Sequence, residues 1–381
     1  MIEELYAHFR KYPVISTDTR KDVKDTIFFA LSGGSFNGNQ FAKTALKKGA
    51  ALAVVEDPHF YKKGGKYFLV DNALETLQQL AVYHRSFYKN PLVAITGSNG
   101  KTTTKELIAA VLGTTYRTTA TQGNYNNHIG VPITLLQLTN KTEIAVIEMG
   151  ANHQGEIANL CEFAKPGFGM ITNIGKAHLE GFGSYEGVIK AKNELYDYLR
   201  KSKGQVIVNA DDPLLMQLSE EIDRQTYGCE KADIQGEITS FKPFLHIKWK
   251  KDKTVYEIET ALYGSYNFYN IMAAISVGCF FKISPAKINQ AIANYIPTNN
   301  RSQQFVTKKN KIILDAYNAN PVSMAGAINS FKAFEPENPW LILGDMFELG
   351  DSSIEEHKKI IELLVEKEFE NVLLVGKVFS S

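Results

Sequence analysis

Between Leu92 and Ala210 the chain alternates two kinds of apolar pattern. Four short runs are continuously apolar: LVAIT (92–96), IAVIEMG (144–150), GMITNIG (169–175) and QVIVNA (205–210). Runs of this length suit parallel strands covered on both faces. The segments between them carry a helical period instead. In KELIAAVL (105–112), Leu107, Ile108, Val111 and Leu112 share one face. The alternation predicts a doubly wound, mostly parallel sheet with right-handed crossovers, and ligands at the carboxyl ends of its strands.

The flanks read differently. In the first 88 residues TIFFAL (26–31) and AALAVVE (50–56) predict buried strands. Leu74, Leu77, Leu80 and Ala81 predict a helix over 72–88, and Asn90-Pro91 then punctuates the chain. Near 234–260 the period becomes two, in FLHIKWK and TVYEIET, which predicts appended antiparallel strands. A helix follows from about Phe268 to Phe281, and Ser284-Pro285 opens another. YIPTNNR (295–301) reads as a linker. KIILDAY, WLILGDM and NVLLVG then predict one further small sheet. Three domains result: 1–88, 89–298 and 299–381, the last at the small end of domain sizes and read as incomplete.

Composition narrows the class without choosing a chemistry. Apolar content of 44% and charged content of 22% are ordinary for a globular protein. A net charge of +1 steers the chain neither to nucleic acid nor to an anionic membrane. Its apolar runs are strand-sized, short of the roughly 20 residues of a membrane span. The N-terminus MIEELYAHFRKY has no apolar segment of the secretory kind. Cys161, Cys229 and Cys279 lack metal-knuckle or disulfide spacing, so a reducing cytoplasm is expected.

The chemistry concentrates where the strands end. TGSNGKT (96–102) resembles a phosphate loop two residues shorter than G-x-x-x-x-G-K-[ST]. It lies between a strand and a helix N-terminus, where free N–H groups and the helix dipole favour an anion. Gly97 and Gly100 allow close approach, Lys101 can reach terminal phosphates, and the Thr102 hydroxyl can ligate Mg²⁺. Glu148 closes IAVIE, at the edge where the metal would lie; a solvated glutamate is the plainer alternative. His178 is read as ending another strand, in ITNIGKAHLEG, with a structural histidine as alternative.

Lys192 breaks a pattern. In SYEGVIKAKNELYDYLRK (184–201), capped by Ser184, it shares one stripe with Val188, Leu195 and Leu199. Lys190, Asn193, Asp197 and Arg200 point elsewhere. Either the Lys192 amine snorkels to water, or it is buried with a lowered pKa and can react with carbon dioxide to give a carbamate.

These residues resemble a known family. TGSNGKTTTKE (96–106) is similar to the nucleotide loop of the Mur ligases, ATP-dependent amide-forming enzymes of peptidoglycan assembly, where the short G-x-x-G-K-[ST] form is usual. GNYNNHIGVPITLL, EMGANHQGEI, TNIGKAHLEGFGS, NADDP, YGSYNFYNIMAAIS, NNRSQ and LDAYNANPVSM follow in family order, so the resemblance spans the chain. It implies a small N-terminal α/β domain, a central phosphate-loop sheet and a Rossmann-like C-terminal domain. Gly97, Ser98, Asn99, Gly100, Lys101, Thr102 and Thr103 would surround the triphosphate. Thr102, Glu148, His178 and a carbamylated Lys192 would serve Mg²⁺, and with Lys101 the last three would form the catalytic set. Asn267 and Asn270 would lie near adenine and phosphates, Arg301 at the γ-phosphate and Asp315 on the ribose. Ser16, Asp18 and Arg20 resemble the motif receiving a UDP end, and Asn126, Asn127 and His128 also fall to substrate.

The implied partners are ATP, a UDP-muramoyl tripeptide and D-Ala-D-Ala, with no nucleic acid, no membrane span and a monomeric chain. Two departures stand out. The family reads D-G-H-[DE]-F where this chain has Asn37-Gly38-Asn39-Gln40-Phe41, which puts substrate contacts around Asn39 in question. The third domain is also short against the family pattern. A sister branch's D-N-P-R motif is missing. Outside the family, a small-molecule kinase or an inactive nucleotide-binding fragment remain open readings.

Overall fold

The structure is a computed structural model and describes residues 1–34, 36–242 and 244–380. The first body is a four-stranded parallel sheet in sequence order: β1 (Ile15–Ser16), β2 (Ile27–Phe29), β3 (Leu52–Val55) and β4 (Tyr67–Leu69). The predicted helix runs Ala73–Ser86, with Asn72 accepting from Glu75 N as its cap.

The central body holds β5 (Leu92–Thr96), β6 (Thr118–Ala120), β7 (Ile144–Glu148), β8 (Phe168–Ile171), β9 (Gln205–Asn209), β10 (Asp223–Gly228), β11 (Ile234–Ser240), β12 (His246–Lys251) and β13 (Thr254–Glu259). They form one sheet in the order β13-β12-β11-β10-β9-β8-β5-β7-β6. Pairing is parallel from β6 through β11 and antiparallel from β11 to β13, as the change of period implies. Alternate residues of each run enter opposite cores. Leu92, Ala94, Ala145 and Ile147 face one cluster; Val93, Ile95, Ile144 and Val146 face the other. Both sheet faces are therefore covered, and the runs had to be apolar throughout.

β5 and β8 are neighbours, and the chain leaves β5 for β6 on one side but leaves β8 for β9 on the other. That topological switch point is where an open α/β sheet opens a crevice for a ligand.

The third body differs from its expected single sheet. β14 (Gln303–Val306) and β15 (Lys311–Leu314) form an antiparallel hairpin, while β16 (Leu341–Gly344) and β17 (Val372–Val375) form a separate parallel pair. No ladder joins the two among the described residues. β15 takes a partner only a short turn away, the closure that costs least chain entropy. Met324, Ile328, Met346, Leu349, Ile360 and Leu364 form this body's own small core. No helix among the described residues is long and apolar enough to cross a membrane.

Candidate active site

The phosphate loop fills the switch point. Gly97 holds φ 142°, and a Cβ there would fall 2.0 Å from Thr172 Oγ1. Gly100 holds φ 78°, and its Cβ would fall 2.4 Å from Asn270 Oδ1. Both positions thus require glycine for conformation and for space. The helix Lys101–Gly113 begins at once, aiming its free N–H groups into a cavity of about 660 Å³.

The loop is braced by residues after β8. Ser98 N donates to Asn173 O (2.9 Å) and Asn99 N to Asn173 Oδ1 (3.0 Å). Thr172 Oγ1 donates to Asn99 O (2.6 Å), and Gly175 N to Ser98 Oγ (2.9 Å). This corrects the strand reading of GMITNIG. β8 stops at Ile171: Thr172 N still donates to Thr96 O at the end of β5 (2.9 Å), but the Thr172 hydroxyl and Asn173 bond the loop. His178 is accordingly not a strand end. It is the left-handed residue (φ 53°) before the short helix Leu179–Phe182, and it lines the cavity.

Glu148 does close its strand, and it is not solvated: it is 1% exposed. Oε1 accepts from Asn126 Nδ2 at 2.7 Å, while Oε2 is buried without a partner. A buried carboxylate oxygen left unpaired is costly unless something cationic completes it. Lys101 Nζ rests on the Gly97 and Ser98 carbonyls, at 2.8 and 3.0 Å. Burial lowers its pKa, Glu148 opposes that, and the Arg301 charge adds to it. Thr102 and Thr103 lie buried at the helix start.

The stripe argument for Lys192 holds, and the snorkelling alternative fails. Lys192 is 1% exposed, with Nζ 3.4 Å from Ala151 O and 5.0 Å from the Phe182 ring centre. Burial first, and the Lys101 charge second, lower its pKa to about 7. The amine lies just behind the cavity wall, since Ala151 lines the cavity and Lys192 itself does not.

The third body supplies the far wall. Arg301 stacks on Tyr317, its guanidinium carbon 3.9 Å from the ring centre, with Nε buried and unpaired. Asp315, whose pKa burial raises, lines the same cavity, as do Asn267 and Asn270. Asn320 Nδ2 reaches across to Asn99 Oδ1 (2.6 Å), and Tyr266 Oη pairs with Ser302 Oγ (2.6 Å). Glu106, one turn into the loop helix, accepts from Tyr295 Oη and from Asn299 Nδ2 (2.9 and 3.0 Å), fastening the linker that carries Arg301. Sequence reasoning missed Asn173, Asn320, Tyr266 and Tyr317. Only their polar or aromatic character within glycine- and asparagine-rich loops pointed to them.

Asn126, Asn127 and His128 line the cavity; Ser16, Asp18 and Arg20 do not. Ser16 ends β1 in the first body and Asp18 and Arg20 follow it, where Arg20 pairs with Asp18 (2.9 Å) and holds its carboxyl down to about 2. Asn39 is 2% exposed. Its Oδ1 accepts from Glu56 N (3.0 Å) and Asp57 N (3.4 Å), so its amide serves the fold.

Among the described residues, no group of three or more His, Cys, Asp or Glu side chains could hold a metal. Mg²⁺ usually takes one or two carboxylates, with phosphate oxygens and water for the rest. The unpaired Glu148 oxygen, in a cavity that Thr102 and His178 also line, fits that habit.

Fold and cavity together define a phosphate-loop, nucleotide-using enzyme whose site is closed by a second body. Residues 95–278 match the Mur ligase middle domain, and residues 300–380 match the Mur ligase, glutamate ligase domain. The UDP-N-acetylmuramoyl-tripeptide–D-alanyl-D-alanine ligase of Bacillus subtilis is 37% identical over 96% of this chain and 80% of its own length. The Escherichia coli enzyme of the same name is 34% identical over 95% and 81%. MurF from Acinetobacter baumannii superposes with a TM-score of 0.89 at 29% identity, covering 100% of this chain and 86% of that one. MurF from Thermotoga maritima, solved in complex with ADP, gives 0.83 at 26% identity, over 95% and 83%. The chain belongs to the Mur ligase family, in its MurF group.

Proposed function

We propose that this chain joins D-alanyl-D-alanine to a UDP-N-acetylmuramoyl tripeptide, with ATP cleaved to ADP and phosphate. The cavity carries the reading: a phosphate loop at the switch point of the sheet, an unpaired buried carboxylate beside it, and an arginine opposite on another body. Relatives at 37% and 34% identity bear that enzyme's name, and an ADP complex is known for a MurF of the same fold.

The tripeptide carboxylate attacks the γ-phosphorus of ATP, and the bond to the β-bridging oxygen breaks with its electrons leaving on ADP. Lys101 and Arg301 lie on opposite sides of the cavity and offset charge on the transferring group, the dominant contribution in such chemistry. The loop N–H groups at the helix start hold the triphosphate in line. Magnesium, held by Glu148, His178 and Thr102, would supply further charge neutralisation on the phosphates. The free amine of the dipeptide then attacks the acyl phosphate carbon. The tetrahedral intermediate collapses, the nitrogen loses a proton, and inorganic phosphate departs. Asn320 on Asn99 closes the wall against water, which would otherwise hydrolyse the acyl phosphate.

Lys192 is the residue for carbamylation. Its lowered pKa keeps a large share of the amine neutral near pH 7, the form that adds to carbon dioxide with loss of a proton. The resulting anion would stand behind Ala151, facing the cationic side of the cavity. Ser16, Asp18 and Arg20 take the UDP end, and Asn126, Asn127 and His128 the substrate nearer the reacting carboxylate. On this reading the enzyme is a monomer, with the residues assigned to the site all on one chain, and is cytoplasmic, where ATP and a UDP-linked substrate are consumed together.

The test is inorganic phosphate release with UDP-muramoyl tripeptide and ATP, with and without D-Ala-D-Ala, alongside mass detection of the amide. Phosphate and amide formed together only when the dipeptide is present support the proposal. ADP formed with a phosphorylated small molecule and no amide would replace it by the kinase reading.

A further inference from the structure

Segment 176–180 of the central body and segment 345–356 of the third body meet beside the phosphate loop. There His178 Nδ1 is hydrogen-bonded to the Glu348 carboxylate, and Nε2 has no hydrogen-bond partner among the described residues. Both residues hold left-handed backbones, φ 53° at His178 and 62° at Glu348. That conformation is uncommon outside glycine, and it persists where the surroundings over-determine it.

The surroundings do so on both sides. Met346 and Leu349 flank Glu348 and are buried, 2% and 3% exposed. Met346 N donates to His357 Nε2 (2.9 Å), and the Asp345 carboxylate accepts from Val378 N and Phe379 N, both at 3.0 Å. Opposite, Glu180 N donates to Glu348 O (3.4 Å), and Lys176 pairs with the buried Glu356 (3.3 Å). Two pinned backbones thus present one carboxylate to one imidazole.

We propose that Glu348 is the positioning residue of His178, and that docking of the third body selects the tautomer with which His178 faces the nucleotide. A neutral imidazole has one donor nitrogen and one acceptor nitrogen. An ionised carboxylate accepts only, so Nδ1 must carry the hydrogen and Nε2 is left with its lone pair in the cavity. Partners of this kind fix ring orientation and raise basicity at the other nitrogen, and their loss typically costs about 10- to 100-fold. The Nε2 lone pair is therefore prepared for a cation such as magnesium only in the docked arrangement. This rests on the ligase reading for what His178 meets, but not for the tautomer itself.

The experiment has two readouts. In nucleotide-free protein labelled with ¹⁵N-histidine, at pH 8, the two-bond ¹H–¹⁵N correlation of His178 reports its tautomer. The wild type shows Nδ1–H. E348A moves to a population dominated by Nε2–H, whereas E348Q, whose amide oxygen still accepts, keeps Nδ1–H. In turnover, E348A lowers kcat roughly 10- to 100-fold with the KM for the UDP-tripeptide unchanged, and E348Q recovers most of the loss. The Glu348 side chain is 51% exposed, so E348A should melt with the wild type. If it melts early, E348N suits the left-handed backbone, falls one carbon short of the imidazole and should behave as E348A does. An E348A or E348N protein that keeps Nδ1–H, or that turns over at the wild-type rate, overturns the proposal. A tautomer switch in a wild-type background without ligase activity would leave it standing and sink the ligase reading instead.

Discussion

Replacing Lys192 by methionine separates the stability cost of this residue from its use. The unbranched stem is retained and the titrating amine is removed. A folded-state pKa of about 7 against the ordinary 10.5 corresponds to roughly 5 kcal/mol against the charged form. Because the folded value is depressed, the unfolded chain binds a proton that the folded chain does not between pH 7 and 10.5. Wild-type stability therefore rises with pH through that window, by up to about 1.4 kcal/mol per pH unit, and the burial cost is full only below pH 7. The Phe182 ring at 5.0 Å returns part of that cost, about 1–2 kcal/mol for a desolvated cation. K192M should then exceed the wild type by roughly 3 kcal/mol at pH 7, a gap that falls to about 1.4 kcal/mol by pH 9.5 and closes only above pH 10.5.

Urea unfolding in carbon dioxide-depleted buffer measures this. Trp249 is buried in the same body as Lys192, and Trp340 is exposed in the third, so a W340F background isolates the relevant signal. Every other titrating group is common to both proteins and cancels in the difference. A gap independent of pH would mean that the amine stays charged and solvated, which removes the physical basis for a carbamate. Adding bicarbonate at pH 8 should stabilise the wild type and leave K192M unchanged. Ligation should be lost in Lys192→Ala and partly restored by small carboxylates; intact activity in that variant refutes the carbamate outright.

Three further perturbations test the rest of the site. Glu148→Gln neutralises the unpaired buried oxygen, so phosphate release should fall on the order of 10²-fold, with the half-saturating Mg²⁺ concentration raised and the KM for the UDP-tripeptide unchanged. Gly97→Ala sets a Cβ 2.0 Å from Thr172 Oγ1 at φ 142°; a loss of roughly 2–4 kcal/mol, read by thermal melting, is expected, and a wild-type melt would show that the loop is not held as described. Asn39→Ala removes the acceptor for Glu56 N and Asp57 N and should cost about 2–3 kcal/mol by calorimetry, with the KM for ATP unmoved; a changed ATP KM would return this residue to the substrate machinery.

What was legible in the sequence is what a single element encodes. Continuous apolar runs gave β5, β7 and β9 because each residue faces one of two cores. The four-three-four spacing placed Lys192 on a buried stripe because helical geometry alone decides that face. Glu148 was found because strand polarity puts the last residue at the ligand edge. GMITNIG failed for an opposite reason. Thr172 and Asn173 bond a loop 73 and more residues distant, and no local pattern distinguishes a strand residue from a loop brace. Asn39 reads as a substrate position by motif, yet its amide is consumed by two backbone N–H groups from β3's exit.

The least legible property is which body moves. The first body shares one continuous apolar cluster with the central body: Leu5, Phe9, Leu77 and Leu80 lie in the same core as Leu135 and Ile147. His84 and Arg85 add buried hydrogen bonds to Leu138 O and Ala164 O. Opening that seam would expose a core. The third body keeps its own core and meets the centre mostly through polar pairs: Asn320 with Asn99, Ser302 with Tyr266, Glu356 with Lys176, Glu335 with Lys242 and Glu348 with His178. Tyr263 with Phe334, ring centres 5.8 Å apart, adds an apolar contact. Polar pairs of this kind contribute little net and exchange readily for water. On the proposed function, a seam of this kind can open to admit ATP and close to shield an acyl phosphate, while the first body would stay fixed as the platform proposed for the substrate's far end. On the same proposal, Arg301 and His178 would both be set by the same closure, one through the linker fastened on Glu106 and the other through Glu348, so the groups assigned to the phosphates would assemble only once the water is gone.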